Sequence, residues 1–479
     1  VTVRYGSIEA TIGEKGVTTM TTTNTSGAQQ TQTNPPAAIL EAGQSIWLDY
    51  ITRSLVRSGE LQQMIEQDGV RGMTSNPTIF EQAISAGSDY DEQIQALAQD
   101  GHDAGTIFEK LEITDIQKAC DRFLPLYERT NGQDGFVSIE VAPDLAHNTD
   151  ATISEARRLW QAVDRPNLMV KVPGTDAGAP AVEQLLREGL NINITLLFSM
   201  ENHERVMWSY IKALEERQSQ GRPIDRIASV ASFFVSRVDT LVDTLLDEKI
   251  AQANGNAARQ ERLQSLRGKA AIANAKAAYA RFQEVFSSER FQQLKQHGAR
   301  PQRVLWASTS TKNPDYRDVY YVESLIGPDT INSMPPQTLE ALQDHGEVRR
   351  TIDEHVNDAL AVLSLLKEEG IDYNAVTQQL EDEGVEKFAT SYNNVIAAIE
   401  QKLGQQQRQP SQKQPSTAAN TSFETGAGDG ATGYDSPPAD DTSLYQRNTE
   451  SRGSLPTDPY PPQRNRNRNP EWQDKPKKS

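Results

Sequence analysis

The 479-residue sequence predicts an α/β fold, a (β/α)8 TIM barrel flanked by disordered N- and C-terminal tails. Three observations carry that prediction. Short apolar runs, about eight in number, alternate with stretches of helical periodicity, which is the order of a parallel sheet with crossover helices. Several of these runs carry polar residues on one parity only, whereas a strand buried on both faces should read as nearly continuous aliphatic sequence. No Gly-rich phosphate loop follows an early strand, so an open doubly wound sheet, the alternative with the same element order, ranks second.

The predicted strands are SIWLDYI (45–51), GVRGMTSN (69–76), FVSIEVA (136–142), LMVKVPG (168–174), NINITLLF (191–198), DRIASVASFF (225–234), RVLWASTS (303–310) and DTINSM (329–334). Between them, ATISEARRLWQAVD (151–164) and AVEQLLREGL (181–190) place apolar residues at helical spacing, and NTD (148–150) supplies capping residues before the first. Residues 1–40, with the run TTMTTTNTSGAQQTQTNPP, have too little apolar surface for a core and are expected to form a disordered arm. Because the chain begins with Val1 and Met20 opens the most biased stretch, an upstream or alternative translation start is expected. Residues 405–479 turn to Gln, Pro, Ser, Gly and Asp and end in QRNRNRNPEWQDKPKKS, a low-complexity tail whose Arg/Asn run is taken as solvated. The barrel is thereby assigned to residues 41–404.

Composition narrows the function. Lys and Arg total 48 against 66 Asp and Glu, a formal net charge of -18 that argues against nonspecific nucleic-acid binding and requires any anionic substrate to find a local positive pocket. The single Cys120 excludes an intrachain disulfide framework, and six scattered histidines (His102, His147, His203, His297, His345 and His355) give no metal-ligand spacing. No run is apolar enough to span a bilayer and the N-terminus lacks the order of a secretory signal, so a cytoplasmic location without membrane partners is expected.

Strand parity locates the chemistry. In LMVKVPG, Leu168, Val170 and Val172 share one face and Met169 and Lys171 the other. The same split sets Ser138 and Glu140 against Val137, Ile139 and Val141, sets Asn191, Asn193 and Thr195 against Ile192, Ile194 and Leu196, and groups Trp47 with Asp49 and Thr74 with Asn76. With the aliphatic faces on the helices, Asp49, Asn76, Glu140, Lys171, Asn193 and Thr195 point into the barrel near strand C-terminal ends, where such barrels build their sites. Lys171 is the sharpest of these. Taken from its strand alone, it is equally a lysine salt-bridged to Glu140 or Asp49 and a desolvated, nucleophilic amine served by those two carboxylates.

V-K-V-P-G-T around Lys171, together with G-M-T-S-N-P-T-I-F (72–80), S-I-E-V (138–141), N-I-N-I-T-L-L-F-S (191–199) and A-S-F-F-V-S-R-V-D (231–239), closely resembles the transaldolases. The similarity runs in order from about residue 43 to about 402, and G-K-A-A-I-A-N-A-K-A-A-Y (268–279) matches a bacterial branch with a longer chain. The resemblance implies a metal-free and cofactor-free Schiff-base enzyme of the pentose phosphate pathway that moves a dihydroxyacetone unit between sugar phosphates; it is compatible with a homodimer. It further implies Lys171 as the imine-forming lysine, Asp49 as general acid/base, and Glu140 and Thr195 as holders of a catalytic water. Asn76 and Asn193 would bind substrate through their amides, Ser232 a hydroxyl of the dihydroxyacetone unit, and Arg237 the phosphate.

One stretch departs from the family pattern. Many relatives carry a cation two residues after a serine, in A-S-[FI]-[RK]-N, where this chain reads A-S-T-S-T-K-N (307–313). Ser308 fits the serine, Ser310 takes the cation's place, and Lys312 is expected to supply the second phosphate charge from two residues further on. The rival functions are a fructose-6-phosphate aldolase using the same lysine, a metal-dependent aldolase, and a noncatalytic barrel.

Overall fold

The computed structural model describes residues 34–407, with side chains to residue 404. The arm before residue 34, its translation start and the Arg/Asn run near the C-terminus lie outside the described residues.

Alternation of buried and polar side chains over five or six residues makes each strand, and eight of them are present: β1 (Gln44–Asp49), β2 (Val70–Thr74), β3 (Phe136–Glu140), β4 (Leu168–Pro173), β5 (Ile192–Leu197), β6 (Ser229–Phe234), β7 (Arg303–Ala307) and β8 (Thr330–Met334). They pair in parallel in chain order, and β1 closes on β8. Each strand falls on one predicted run, β1 beginning one residue before its run at Gln44 and the other seven lying within theirs.

Parity works as the sequence predicts over most of the sheet. Trp47, Phe136, Met169, Val230, Leu305 and Ile331 fill the lower barrel interior as one apolar cluster. Trp47 occupies so much of it that a Cβ on Gly72 would lie 2.5 Å from the indole, which is why β2 carries glycine there. Below the cluster, Arg303 donates to Ser45 Oγ and Asp134 Oδ1, both at 2.9 Å, and closes the barrel floor with a buried ion pair. The aliphatic parity, with Val137, Ile139, Val170, Val172, Ile192 and Ile194, packs on the helices in the main core. Alternation breaks at Leu196, whose φ of 61° coincides with a register shift against β6 between Ile194 and Leu197. That bulge follows Thr195 directly, at the site end of β5.

Two helices change the predicted boundaries. Pro35–Glu41 is helical, with Pro36 and Ile39 buried, so the boundary set at residue 40 falls inside an ordered element that packs on β1. Its prolines suit the first helical turn, where a missing N–H costs nothing. At the other end, helix Tyr373–Gln407 runs past residue 404 and lies across helices Pro77–Ala86 and Ala104–Arg129 to reach β5. It comes so close at Gly384 that a Cβ there would sit 2.8 Å from Leu196 Cδ2.

Ile39 is fully buried, so Ile39→Ala should destabilise the protein by roughly 2–5 kcal/mol. A chemical denaturation midpoint equal to that of the parent would show that the helix is not part of the cooperative unit.

Candidate active site

β4 and its neighbours bring the chemistry into one row: Glu140 pairs in register with Lys171, and Lys171 with Asn193. Lys171 Nζ donates to Glu140 Oε2 at 3.0 Å and to the Ser75 carbonyl at 3.1 Å, with both side chains buried. Those two acceptors explain how an ammonium is tolerated inside an apolar strand. Phe388 of the C-terminal helix covers it, with Nζ 5.7 Å from the ring centroid. Burial pushes the Glu140 carboxyl above the ordinary glutamate range, Lys171 opposes that, and Asp49 adds to it.

A cavity of about 360 Å³ opens above this row at the C-terminal end of the strands. Asp49, Asn76, Lys171, Thr195, Ser232, Arg237, Ser308 and Lys312 all line it. Glu140 and Asn193 stand behind the wall, Glu140 hydrogen-bonded to Lys171 and Asn193 to Ser232. Asn193 Oδ1 accepts from Ser232 Oγ at 2.7 Å and its Nδ2 donates to Ser138 Oγ at 3.0 Å, so its amide orients Ser232. Asn76 caps helix Pro77–Ala86 by accepting from Ile79 N, which leaves its amide nitrogen to donate toward the cavity it lines.

Asp49, at the end of β1, accepts from Thr74 Oγ1 at 2.7 Å, and Thr74 shares a 2.8 Å hydrogen bond with Ser333. Glu140 Oε1 and Thr195 Oγ1 are buried and have no protein partner.

The far wall is cationic. Arg237 heads helix Ser236–Gln252, packs on Phe234 with its guanidinium carbon 5.4 Å from the ring centroid, and keeps Nη1 buried without a protein partner. Lys312 donates to Ser310 Oγ at 2.8 Å. Neither cation makes an ion pair among the described residues. Burial pulls the Lys312 ammonium below its usual range and Arg237 adds to that, while burial also lowers Arg237. An anion bound between them relieves both effects, because each cation regains an opposite charge. Ser308, at φ 56°, joins this wall to the helix through a 3.0 Å hydrogen bond to Ser236 Oγ.

Sequence reasoning missed Thr74 as the partner of Asp49 and Ser333 as the partner of Thr74, although each is a hydroxyl on the inward parity of a barrel strand. It had no signal for Phe388, which sits in a helix 217 positions downstream of Lys171 (388 − 171), or for the Ser75 carbonyl. Among the described residues no group of three or more His, Cys, Asp or Glu side chains is arranged to hold a metal ion, and no helix is long and apolar enough to cross a membrane.

Comparison with known proteins places these motifs. A family profile described as Transaldolase/Fructose-6-phosphate aldolase matches residues 46–399. "Transaldolase 2" of Nostoc punctiforme is 47% identical over 373 residues, covering 78% of this chain and 98% of the relative. "Transaldolase" of Thiobacillus denitrificans is 48% identical over 357 residues, covering 74% and 97%. "Transaldolase" of Mycobacterium ulcerans is 47% identical over 369 residues, covering 77% and 96%.

Behind the ion pair, Glu112 is buried and pushed up to about 8, first by burial and then by Glu140. A glutamate raised in the folded state contributes stability below its unfolded value of 4.5 that is lost as pH rises through about 8. Glu112→Gln removes this linkage, so the variant should gain on the parent in unfolding free energy as pH is raised from 5 to 8. Parallel stability profiles over that range would show that Glu112 is ionised in the fold.

Proposed function

The chain belongs to the transaldolase/fructose-6-phosphate aldolase family and is a transaldolase, and from that premise we propose that Lys171 is its Schiff-base residue. The observation that carries the reading is a single buried amine on the floor of a cavity, 3.0 Å from a carboxylate and facing a wall that holds two cations without ion pairs. Such a site takes a carbonyl at one end and a phosphate at the other.

In this reading the Lys171 ammonium gives a proton to Glu140, the neutral amine adds to C2 of a ketose phosphate, and the carbinolamine loses water to give an iminium. Glu140, raised by burial and able to pass protons, and Thr195 hold the water through which those protons move. Asp49 takes the C4 hydroxyl proton as the C3–C4 bond breaks. The bonding electrons flow into the iminium, which becomes a neutral enamine, and an aldose phosphate leaves. The enamine carbon then attacks the aldehyde carbon of an acceptor, Asp49 returns the proton, and hydrolysis frees the new ketose and Lys171. Ser232, oriented by Asn193, and Asn76 hold the hydroxyls of the three-carbon unit. Phe388, over the amine, shelters the enamine from water, which favours transfer over loss of the fragment.

The substrates consistent with this arrangement are sedoheptulose 7-phosphate or fructose 6-phosphate as donor and glyceraldehyde 3-phosphate or erythrose 4-phosphate as acceptor. The reaction then belongs to the non-oxidative pentose phosphate pathway, in the cytoplasm. Arg237 and Lys312 read the phosphate, with Lys312 standing in for the cation that Ser310 replaces. Fructose-6-phosphate aldolase cleavage is the second reading, since the family description covers both activities. The relatives that match nearly end to end carry the transaldolase name.

Lys171→Met should abolish transfer while leaving the thermal midpoint near that of the parent; residual turnover would place the amine elsewhere. A charge-assisted contact to phosphate is worth roughly 1.5–3 kcal/mol, or about ten- to a hundredfold in binding. Arg237→Ala should therefore raise KM for phosphorylated substrates by that factor and for dihydroxyacetone or glyceraldehyde far less. Equal losses on both kinds of substrate would mean that Arg237 supports the barrel instead of reading phosphate.

A further inference from the structure

Lys312 stands in the wall between two cavities. On one side lies the active site, and on the other a cleft of about 190 Å³ lined by Asp239, Asp243, Asp247, Arg267 and Tyr316 as well as Lys312 itself. The three carboxylates lie four residues apart on one face of helix Ser236–Gln252, whose first turn also carries Arg237. An ammonium facing such a row should be drawn into it and away from the substrate, since a carboxylate is a far stronger partner than the Ser310 hydroxyl that Lys312 in fact meets.

Each carboxylate is already engaged. Asp239 accepts from Ala271 N at 2.8 Å and from Tyr321 OH at 2.9 Å. Asp247 is paired with Arg267 at 2.9 Å. Asp243 accepts from Gly268 N at 2.9 Å and from Tyr316 OH at 2.5 Å. Tyr316 differs from the other donors because it lies four residues after Lys312 in the same loop. Its ring lies against Gly268, where φ is 67° and an added Cβ would approach the ring to 2.7 Å, so the hydroxyl is delivered to Asp243 by a fitted contact.

We propose that Tyr316 is a positioning residue for phosphate recognition. By occupying Asp243 Oδ2 it withholds that carboxylate from Lys312, so that the ammonium is left to face the active site. The proposal rests on Lys312 being a phosphate contact, and it makes the Tyr316–Asp243 bond the device that lets a displaced lysine replace the cation missing at Ser310.

The test is steady-state kinetics of the full chain with glyceraldehyde 3-phosphate and with unphosphorylated glyceraldehyde as acceptors. Tyr316→Phe should raise KM for the phosphorylated acceptor about tenfold, the low end for one charge-assisted contact, with kcat and the KM for glyceraldehyde unchanged. Adding Asp243→Asn to Tyr316→Phe should restore the phosphorylated KM, because a neutral amide does not compete for the ammonium; a merely structural role for the tyrosine predicts no such rescue. Lys312→Ala is the reference. If it raises the phosphorylated KM selectively and Tyr316→Phe does not, or if the double variant is no better than the single one, the positioning role is overturned and the phosphate reading stands. If Lys312→Ala has no selective effect, both fall. Should Tyr316→Phe unfold, Tyr316→Leu with and without Asp243→Asn repeats the comparison: a selective rise in the phosphorylated KM that Asp243→Asn reverses supports withholding, and its absence overturns it.

Discussion

The site depends on holding the Lys171 ammonium, almost wholly buried, at the floor of the cavity. Desolvation of an isolated charge there costs several kcal/mol, and the fold offsets it with Glu140 on the adjacent strand and the Ser75 carbonyl from the β2 loop. Both acceptors are set by backbone: Glu140 by strand register, Ser75 by the turn into helix Pro77–Ala86. The arrangement is therefore rigid before any substrate arrives, and it turns a structural liability into a preorganised amine. The second carboxylate, Asp49, accepts from Thr74, which is itself hydrogen-bonded to Ser333.

Charge is organised on the same principle at larger scale. A chain with net charge -18 repels anions at long range, yet its cavity gathers Lys171, Arg237 and Lys312. On the proposed phosphate reading, the cations at the far wall are left for the substrate because nearby acids are engaged elsewhere. Glu383 pairs with Lys387, and Asp239, Asp243 and Asp247 accept from tyrosines, backbone amides and Arg267. If that reading holds, selectivity for a phosphorylated sugar rests as much on what neutralises the neighbouring carboxylates as on the two cations.

How much of this was legible in the sequence follows from the reach of each signal. Strand parity is local, and it correctly grouped Trp47 and Met169 inside the barrel and set Lys171, Glu140 and Asn193 on the polar face. Its two-residue period ends at Leu196, where a bulge intervenes, although Leu196 still packs in the main core with Ile192 and Ile194. It could not tell that the Asn193 amide supports Ser232 from behind the cavity wall, because that depends on which hydroxyls surround it. The helix at Pro35–Glu41 was lost in a compositional bias that ends only where its two buried residues begin. Phe388 was illegible, since nothing in a polar helix says that it folds back over β4. Lys312 was legible only as a departure from a family pattern, and its setting between two cavities needed the coordinates.

The central claim, that Lys171 forms the covalent intermediate, is tested most directly by borohydride reduction in the presence of fructose 6-phosphate, followed by proteolysis and mass spectrometry of the labelled peptide. The account predicts a stable three-carbon adduct on the peptide containing Lys171 and on no other. An adduct on Lys312 or Lys276, or full activity under borohydride with no adduct, would contradict it.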